Sequence, residues 1–506
     1  MIIDDIIESI DDGGPKSYYS FEAFVQNLLK YHIENQKKEL LARPSSSRSA
    51  DIYAPTGFDD FVGPTAIEIK FNLAGIPVKK FLENSVYKLV NEFESNSIEN
   101  LLLISAKPIP RKFLIDLQFE LALKELPFKL VIWGPKELNS IAAKHRKVVN
   151  NISKNLFSLR LNSVIQNSEG NWKKERDDII NDLRACYDKG MFSLFLGAGV
   201  SSSAGMPDWN TLLNSLFVTY LNEELDDDTN PSELDVSELV NRLNTIDEPT
   251  ALMAARYLRK GLSRSDNEAK GFRVAVTRNL YNLRNKKLEI SSELLKSIAS
   301  MCLPKRTGAK VKSVVSYNFD DLLERQLEHN SIDHRCIYTE NERYAPEELP
   351  VYHVHGFLPE DTNKYEGLDK STLVFSEEGY HQIYSDHYHW SNLVQLNSFR
   401  ESNCLMIGLS MTDPNLRRLL DISSKNTERS KHFAFMQRLS LDDFCFEEKN
   451  KKKIQVIKNM KSAENFLKSH HKLNEELMKE LGVTVIWYEG YSDIPKIINQ
   501  VVRNES

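Results

Sequence analysis

The chain has 506 residues, with 65 Lys and Arg against 72 Asp and Glu, a formal net charge of −7, and a hydrophobic fraction of 41%. That length predicts two to four domains, each large enough to bury a real core. The composition excludes a chain disordered throughout, a collagen and a disulfide scaffold, and the acidic balance argues against a globally basic nucleic-acid binder while leaving room for a local basic groove.

Apolar positions at helical spacing predict an amphipathic helix over 17–40. A polar stretch over 43–49 precedes two strands, near 51–53 and 65–71. A helix follows over 77–94, then a strand at 101–104, a helix over 111–125 and a strand at 130–133, ended by Gly134-Pro135. This string predicts one small α/β domain over residues 1–150 with a mixed sheet. Residues 151–175, rich in Asn and Ser, read as a linker. The run Phe192 to Leu196 is then a strand ending in Gly197-Ala198-Gly199, and an insertion over 210–300 is mostly helical, broken by an acidic loop over 223–228. Buried-type strands follow at 314–317, 351–354, 404–407, 432–435 and 483–487, with helices between them. Apolar strands separated by helices predict a Rossmann-like parallel sheet over 176–506. The basic run 449–453 reads as a solvated loop or helix face.

The second domain carries the richer chemistry. Glycines in a strand-to-helix turn let a backbone approach a pyrophosphate. Here the turn extends into Gly197-Ala198-Gly199-Val200-Ser201-Ser202-Ser203-Ala204-Gly205-Met206-Pro207-Asp208-Trp209. Three more blocks lie at the ends of predicted strands: Ser316-Tyr317-Asn318-Phe319-Asp320-Asp321-Leu322, Val354-His355-Gly356, and Ile407-Gly408-Leu409-Ser410-Met411-Thr412-Asp413-Pro414. In an open α/β sheet such ends line one crevice.

In this order the four blocks resemble the sirtuin fold over residues 180–500. The resemblance implies NAD as substrate, with Gly197, Ala198, Gly199, Ser201, Pro207, Trp209, Asp320, Gly408, Ser410 and Asp413 around it. It implies His355 as the base acting through the ribose, Asn318 as the residue placing ribose or water, and Asp320 near the carboxamide. Ser410 and Asp413 would start the loop facing the adenosine half. Protein-deacetylating sirtuins carry two C-x-x-C pairs after the His-Gly block, whereas residues 356–403 hold no cysteine, so the zinc module is absent. Phe375-Ser376-Glu377-Glu378-Gly379-Tyr380, with Trp390 downstream, resembles instead the bacterial defence branch of the fold, whose members hydrolyse NAD to nicotinamide and ADP-ribose. Tyr317 stands where the usual pattern has Gln, which loosens any inference of deacetylation.

In the first domain, Asp51 precedes Glu68-Ile69-Lys70 by a spacing that suits neighbouring strands. Glu68 and Lys70, two apart, project to one face. Two carboxylates and a lysine on one face can hold Mg²⁺ or Mn²⁺ and activate water for phosphodiester cleavage. The pattern resembles the Asp…Glu-x-Lys core of restriction-type endonucleases, nearest the Mrr-like branch. Glu22 matches a helical acid that some members place near the metal. Residues 1–150 hold 19 Lys and Arg against 20 Asp and Glu, a net of −1, which is not a strong footprint for DNA or RNA.

The five cysteines show no C-x-x-C spacing, which excludes a Cys-rich zinc knuckle and argues against a disulfide framework. No apolar run approaches the ~18–20 residues of a membrane span, and the acidic N-terminus lacks the basic region of a signal peptide. The expected compartment is the cytoplasm. Three functions remain open: an antiviral NAD hydrolase joined to a nuclease-like domain, a sensor of NAD or an ADP-ribose derivative that gates the nuclease, and a protein deacylase or ADP-ribosyltransferase. Effectors of this kind commonly form homo-oligomers. A partner protein of a defence system is conceivable but has no support in the sequence.

Overall fold

The computed structural model describes residues 2–10, 14–42, 50–73, 77–87, 98–123, 126–156, 159, 171–224, 255–256, 258–259, 262, 268–386, 388–425, 427, 430–449 and 452–502. The polar stretch 43–49, the end of the helix expected over 77–94, much of the 151–175 segment, and the middle of the 210–300 insertion with most of its acidic loop lie outside these. The chain forms two compact units. One comprises residues 1–179, 424–431 and 439–484, the other 180–423, 432–438 and 485–506. Residues 439–484 thus cluster with the N-terminal unit despite their place in the sequence.

The first unit holds a five-stranded sheet of β1 (Leu41–Ala42), β2 (Ile52–Ala54), β3 (Thr65–Lys70), β4 (Asn100–Ser105) and β5 (Lys129–Trp133), in that order. The β2–β3 pair is antiparallel, and β3, β4 and β5 are parallel. Alternation along the strands splits the core in two. Ile67, Ile69, Leu102 and Ile104 face α1 (Ile2–Ile10) and α2 (Gly14–Glu34). Ala66, Leu101 and Leu103 pack with Phe81, Phe113 and Leu117. Helix α1 is a finding: MIIDDIIESI reads only as an acidic start, yet Ile3, Ile6 and Ile7 are buried. Helix α2 begins with Pro15 in its first turn, where a missing N–H costs nothing. A late helix, α3 (Met460–Glu480), packs along α2 in the same unit. Part of the basic run is β-structure: Phe446–Lys449 and Lys452–Gln455 pair as an antiparallel hairpin. Lys452 to Gln455 are all exposed, and the mostly charged residues of the two strands carry no alternating apolar signal from which to read them.

The second unit holds β6 (Phe192–Leu196), β7 (Val311–Ser316), β8 (His334–Ile337), β9 (Leu349–His353), β10 (Asn403–Ile407), β11 (His432–Gln437) and β14 (Val483–Tyr488), the hairpin strands being β12 and β13. The order is β14-β11-β10-β6-β7-β9-β8. The five pairs from β11 to β8 are all parallel. This is the Rossmann-like sheet, with an extra edge strand β8 whose half-polar His334-Arg335-Cys336-Ile337 gives little strand signal. The chain runs from β6 outward to β9 and β8, then returns to β10 on the other side. The order reverses between β6 and β10, where such sheets open their ligand crevice.

Candidate active site

Because β10, β6, β7 and β9 are adjacent and parallel, the four sequence blocks emerge side by side at one edge. The main chain stitches them: the Gly197 N–H donates to Ile407 O at 2.9 Å, Tyr317 N–H to Leu196 O at 2.9 Å, and Val354 N–H to Ser316 O at 3.1 Å. The Asn318 amide donates to Gly197 O at 3.0 Å and to Ser201 Oγ at 2.8 Å. Ser201 in turn bonds the carboxylate of Asp320. Burial pushes that carboxyl up to about 6, against the opposing pull of the Ser201 bond.

The glycines of the first block have a packing role. A Cβ on Gly199 would stand 2.8 Å from Gly408 Cα, and Gly408 itself has φ +69° with Val200 N 2.6 Å from where its Cβ would be. The turns after β6 and β10 therefore interlock, and only glycine fits at Gly408. The Gly199 N–H donates to Gly408 O at 3.0 Å, so the amides of Gly197 and Gly199 already have protein partners. Trp209 is half-buried and packs on Phe375, with ring centroids 4.5 Å apart. Pro207 is half-buried beside it in sequence, and Ser410 is exposed, its hydroxyl 2.6 Å from that of Thr412.

His355 sits in the turn after β9, 9% exposed. Its Nε2 is buried without a hydrogen-bond partner. The ring meets Tyr317 edge-on at 4.6 Å and Tyr380 at 5.8 Å. The nearest carboxylate is Asp413, with Oδ2 3.9 Å from Nε2. Burial pulls the imidazole below its ordinary value, and Asp413 opposes that pull. Burial thus favours the neutral ring, the form able to accept a proton. Asp413 is held by Tyr380, whose hydroxyl donates at 2.5 Å, and by the Leu416 N–H at 2.7 Å. The structure thus brings Asp413 to His355. Tyr380 completes this group from the Phe375–Tyr380 string, whose link to Asp413 no spacing rule exposes.

In the other unit, the β2–β3 register pairs Ile52 with Ile67, and one step further sets Asp51 against Glu68. Asp51 Oδ2 accepts the Ile69 N–H at 2.7 Å. Glu68 Oε1 takes the Lys70 ammonium at 2.6 Å, with both side chains at most 10% exposed. The set suits a hard divalent cation in chemistry, but one oxygen of each carboxylate is engaged by these bonds. Glu22 lies on α2 and accepts from Gln26 at 3.1 Å. That helix packs on the Ile67–Ile69 side of the sheet, the face opposite Glu68 and Lys70 by alternation.

Residues 312–457 match the family model of the SIR2-like domain. The match takes in Asn318, His355, Ser410 and Asp413 and begins beyond the Gly197–Gly199 turn. The chain is also 22% identical over 328 residues to the NAD(+) hydrolase ThsA of Enterococcus faecium. That similarity covers 64% of this chain and 57% of the relative. Among the described residues, no helix is long and apolar enough to cross a membrane.

Proposed function

We propose that this protein hydrolyses NAD to nicotinamide and ADP-ribose in antiviral defence, with the chemistry carried by Asn318 and His355. The supporting observation is the pairing of these two residues on neighbouring strand ends, with a buried, unbonded imidazole nitrogen beside them. In the reaction the bond between nicotinamide nitrogen and ribose C1′ breaks. Its electron pair leaves with the ring, which departs neutral without needing an acid. Water adds to the oxocarbenium-like C1′ and loses one proton. That proton passes by way of a ribose hydroxyl to His355 Nε2, and Asn318, released from Ser201, orients ribose or water. The pyrophosphate would lie over Gly197-Ala198-Gly199, with Ser201, Pro207, Trp209, Gly408 and Ser410 around the dinucleotide. Nicotinamide release by full-length protein tests this. His355→Ala should lower the rate by ~10²–10⁴, the usual worth of a general base. A folded His355→Ala protein with wild-type turnover refutes the mechanism.

A second activity is part of the proposal, supported by the placement of Asp51 opposite Glu68 on paired strands. Asp51 and Glu68 would hold Mg²⁺ or Mn²⁺, which would supply an activated water for cleaving DNA or RNA, with Lys70 beside them. Cutting of plasmid or RNA that needs the metal and fails in Glu68→Gln is the expected result. Assembly as a homo-oligomer, cytoplasmic location and a defence-system partner belong to the same proposal, and light scattering of the purified chain tests the first.

A further inference from the structure

Behind the Asn318–His355 pair lie two buried charged groups that the reaction above does not use. His353 is the last residue of β9, and Glu324 lies on the helix Leu322–His329. Both side chains are 1% exposed, and His353 Nε2 is 2.8 Å from Glu324 Oε1. On its other side, His353 Nδ1 stands 3.2 Å from the main-chain oxygen of Asn318. A carboxylate and a carbonyl both only accept, so the ring serves both only as an imidazolium. Glu324 supplies the charge that holds the proton: burial pulls His353 down, yet the adjacent carboxylate leaves it above its ordinary value. The Asn318 peptide is fixed from the other side by Ser316 Oγ, which accepts its N–H at 3.2 Å. The Leu358 N–H to Phe319 O bond, 2.7 Å, ties the same loop to the segment after His355.

We propose that Glu324 and His353 are positioning residues for NAD cleavage, a buried ion pair that clamps the Asn318 peptide and so sets Asn318 against His355. The inference rests on the hydrolase reading of the site. Two observations favour it over the alternatives. Glu324 Oε2 is buried with no hydrogen-bond partner, an uncompensated desolvation cost that a purely structural position sheds when replaced by an apolar residue. Cys336 also lies in the cluster, its sulfur within 4.8 Å of the other two groups' ligand atoms, as a metal centre would require. But two ligands bound to one zinc at about 2.0–2.1 Å in tetrahedral geometry lie about 3.3 Å apart, whereas 2.8 Å is a hydrogen bond. Burial also pushes the Cys336 thiol well up, keeping it protonated.

The test uses the full-length chain as wild type, His353→Gln and Glu324→Gln, reading kcat and KM for NAD against pH and hydrogen exchange of the 317–321 amides. The groups facing His353 are Glu324 on its helix, Asp320 in the loop before that helix, and Cys336 on β8 with Tyr365 beyond it. Glutamine at 353 can donate to only one of the two acceptors at full strength. It should lower kcat by roughly 10- to 100-fold, the scale of an ångström's misplacement, with KM changed by less than about threefold, since no substrate contact is lost. Wild-type kcat should fall as pH rises through the raised His353 value. Glu324→Gln, which removes the raising charge, should move that fall to lower pH. Both variants should speed exchange at 317–321. Unchanged kcat in a folded His353→Gln protein, an effect confined to KM, or unchanged exchange overturns the proposal. So does stoichiometric zinc in the wild type that is lost with Cys336→Ala. A wild type that binds NAD but releases no nicotinamide refutes the hydrolase reading, while the exchange data alone decide whether the pair holds the Asn318 peptide.

Discussion

Replacing Asp320 with Asn should stabilise the protein at neutral pH and leave it unchanged in acid. Asp320 is 6% exposed, and burial raises its carboxyl from 3.8 to about 6. A shift of about two units corresponds to roughly 3 kcal/mol at ~1.36 kcal/mol per unit. The folded value lies above the unfolded one. Between pH ~4 and ~6 the native state therefore holds a proton that the unfolded chain has lost, and stability declines as pH rises through that window. Above it the penalty is complete. Asparagine removes the ionisation but keeps the bonds: its oxygen can take the Leu322 N–H that Asp320 Oδ1 accepts at 3.2 Å, and the Ser201 hydroxyl can accept from its amide. Scanning calorimetry of Asp320→Asn against wild type should show nearly equal transitions at pH ~3.5, below the unfolded value. At pH 7.5 the variant should gain roughly 6 °C, taking about 2 °C per kcal/mol for a unit of this size. Equal shifts at both pH values, or a loss at pH 7.5, would refute the assignment of Asp320 as a desolvated charge.

Gly408→Ala should unfold or loosen the crevice, because a left-handed residue with a side chain costs roughly 1–2 kcal/mol even before its Cβ meets Val200 N; a lowered thermal midpoint with impaired NAD binding checks this. Lys70→Ala should destabilise the first unit by about 3–5 kcal/mol by removing the ammonium bound to the buried Glu68 carboxylate, while Glu68→Met with Lys70→Met should cost far less, as chemical denaturation of the two variants would show. Asp413→Asn keeps an oxygen for the Leu416 N–H and presents its amide to the Tyr380 hydroxyl, which can accept instead of donate, but removes the charge that raises His355; the acid limb of kcat should move to lower pH, and a limb that stays in place contradicts the contact.

Where the sheet would end was legible wherever an apolar run met a glycine or an Asn. Phe192 to Leu196, Val314 to Ser316 and Cys404 to Ile407 all end at the motifs they were expected to present. What sequence left hidden were contacts across those ends. Ser316 and His353 become partners only through the β7–β9 register, and that register brings His353 to Asn318 and Glu324. Asp413 meets His355 because β10 returns to the far side of β6, a topological fact with no local signal. The glycines of the first block read as room for a phosphate, and nothing in the sequence signals that Gly199 also admits Gly408. Likewise Met460–Glu480 is amphipathic, yet an apolar stripe does not say which helix it will cover, and it lies along α2.

The charges in the crevice fit the direction in which charge moves during the proposed cleavage. The nicotinamide ring is cationic in NAD and neutral on leaving, so positive charge passes from ring to ribose. A carboxylate fixed at the ring would stabilise the ground state and oppose the reaction; one fixed at the ribose would favour the transition state. Burial disfavours charge on both Asp320 and His355, although Asp320, raised to about 6, is still ionised at neutral pH. Asp320 is further separated from the Asn318 amide by the Ser201 hydroxyl. Asp413, by contrast, lies 3.9 Å from His355 Nε2 and is anchored by Tyr380 and the Leu416 amide. Out of bulk water an oriented carboxylate counts for more than it would in water. Beside the residue proposed to take the ribose proton, it would stand where the positive charge arrives rather than where it starts.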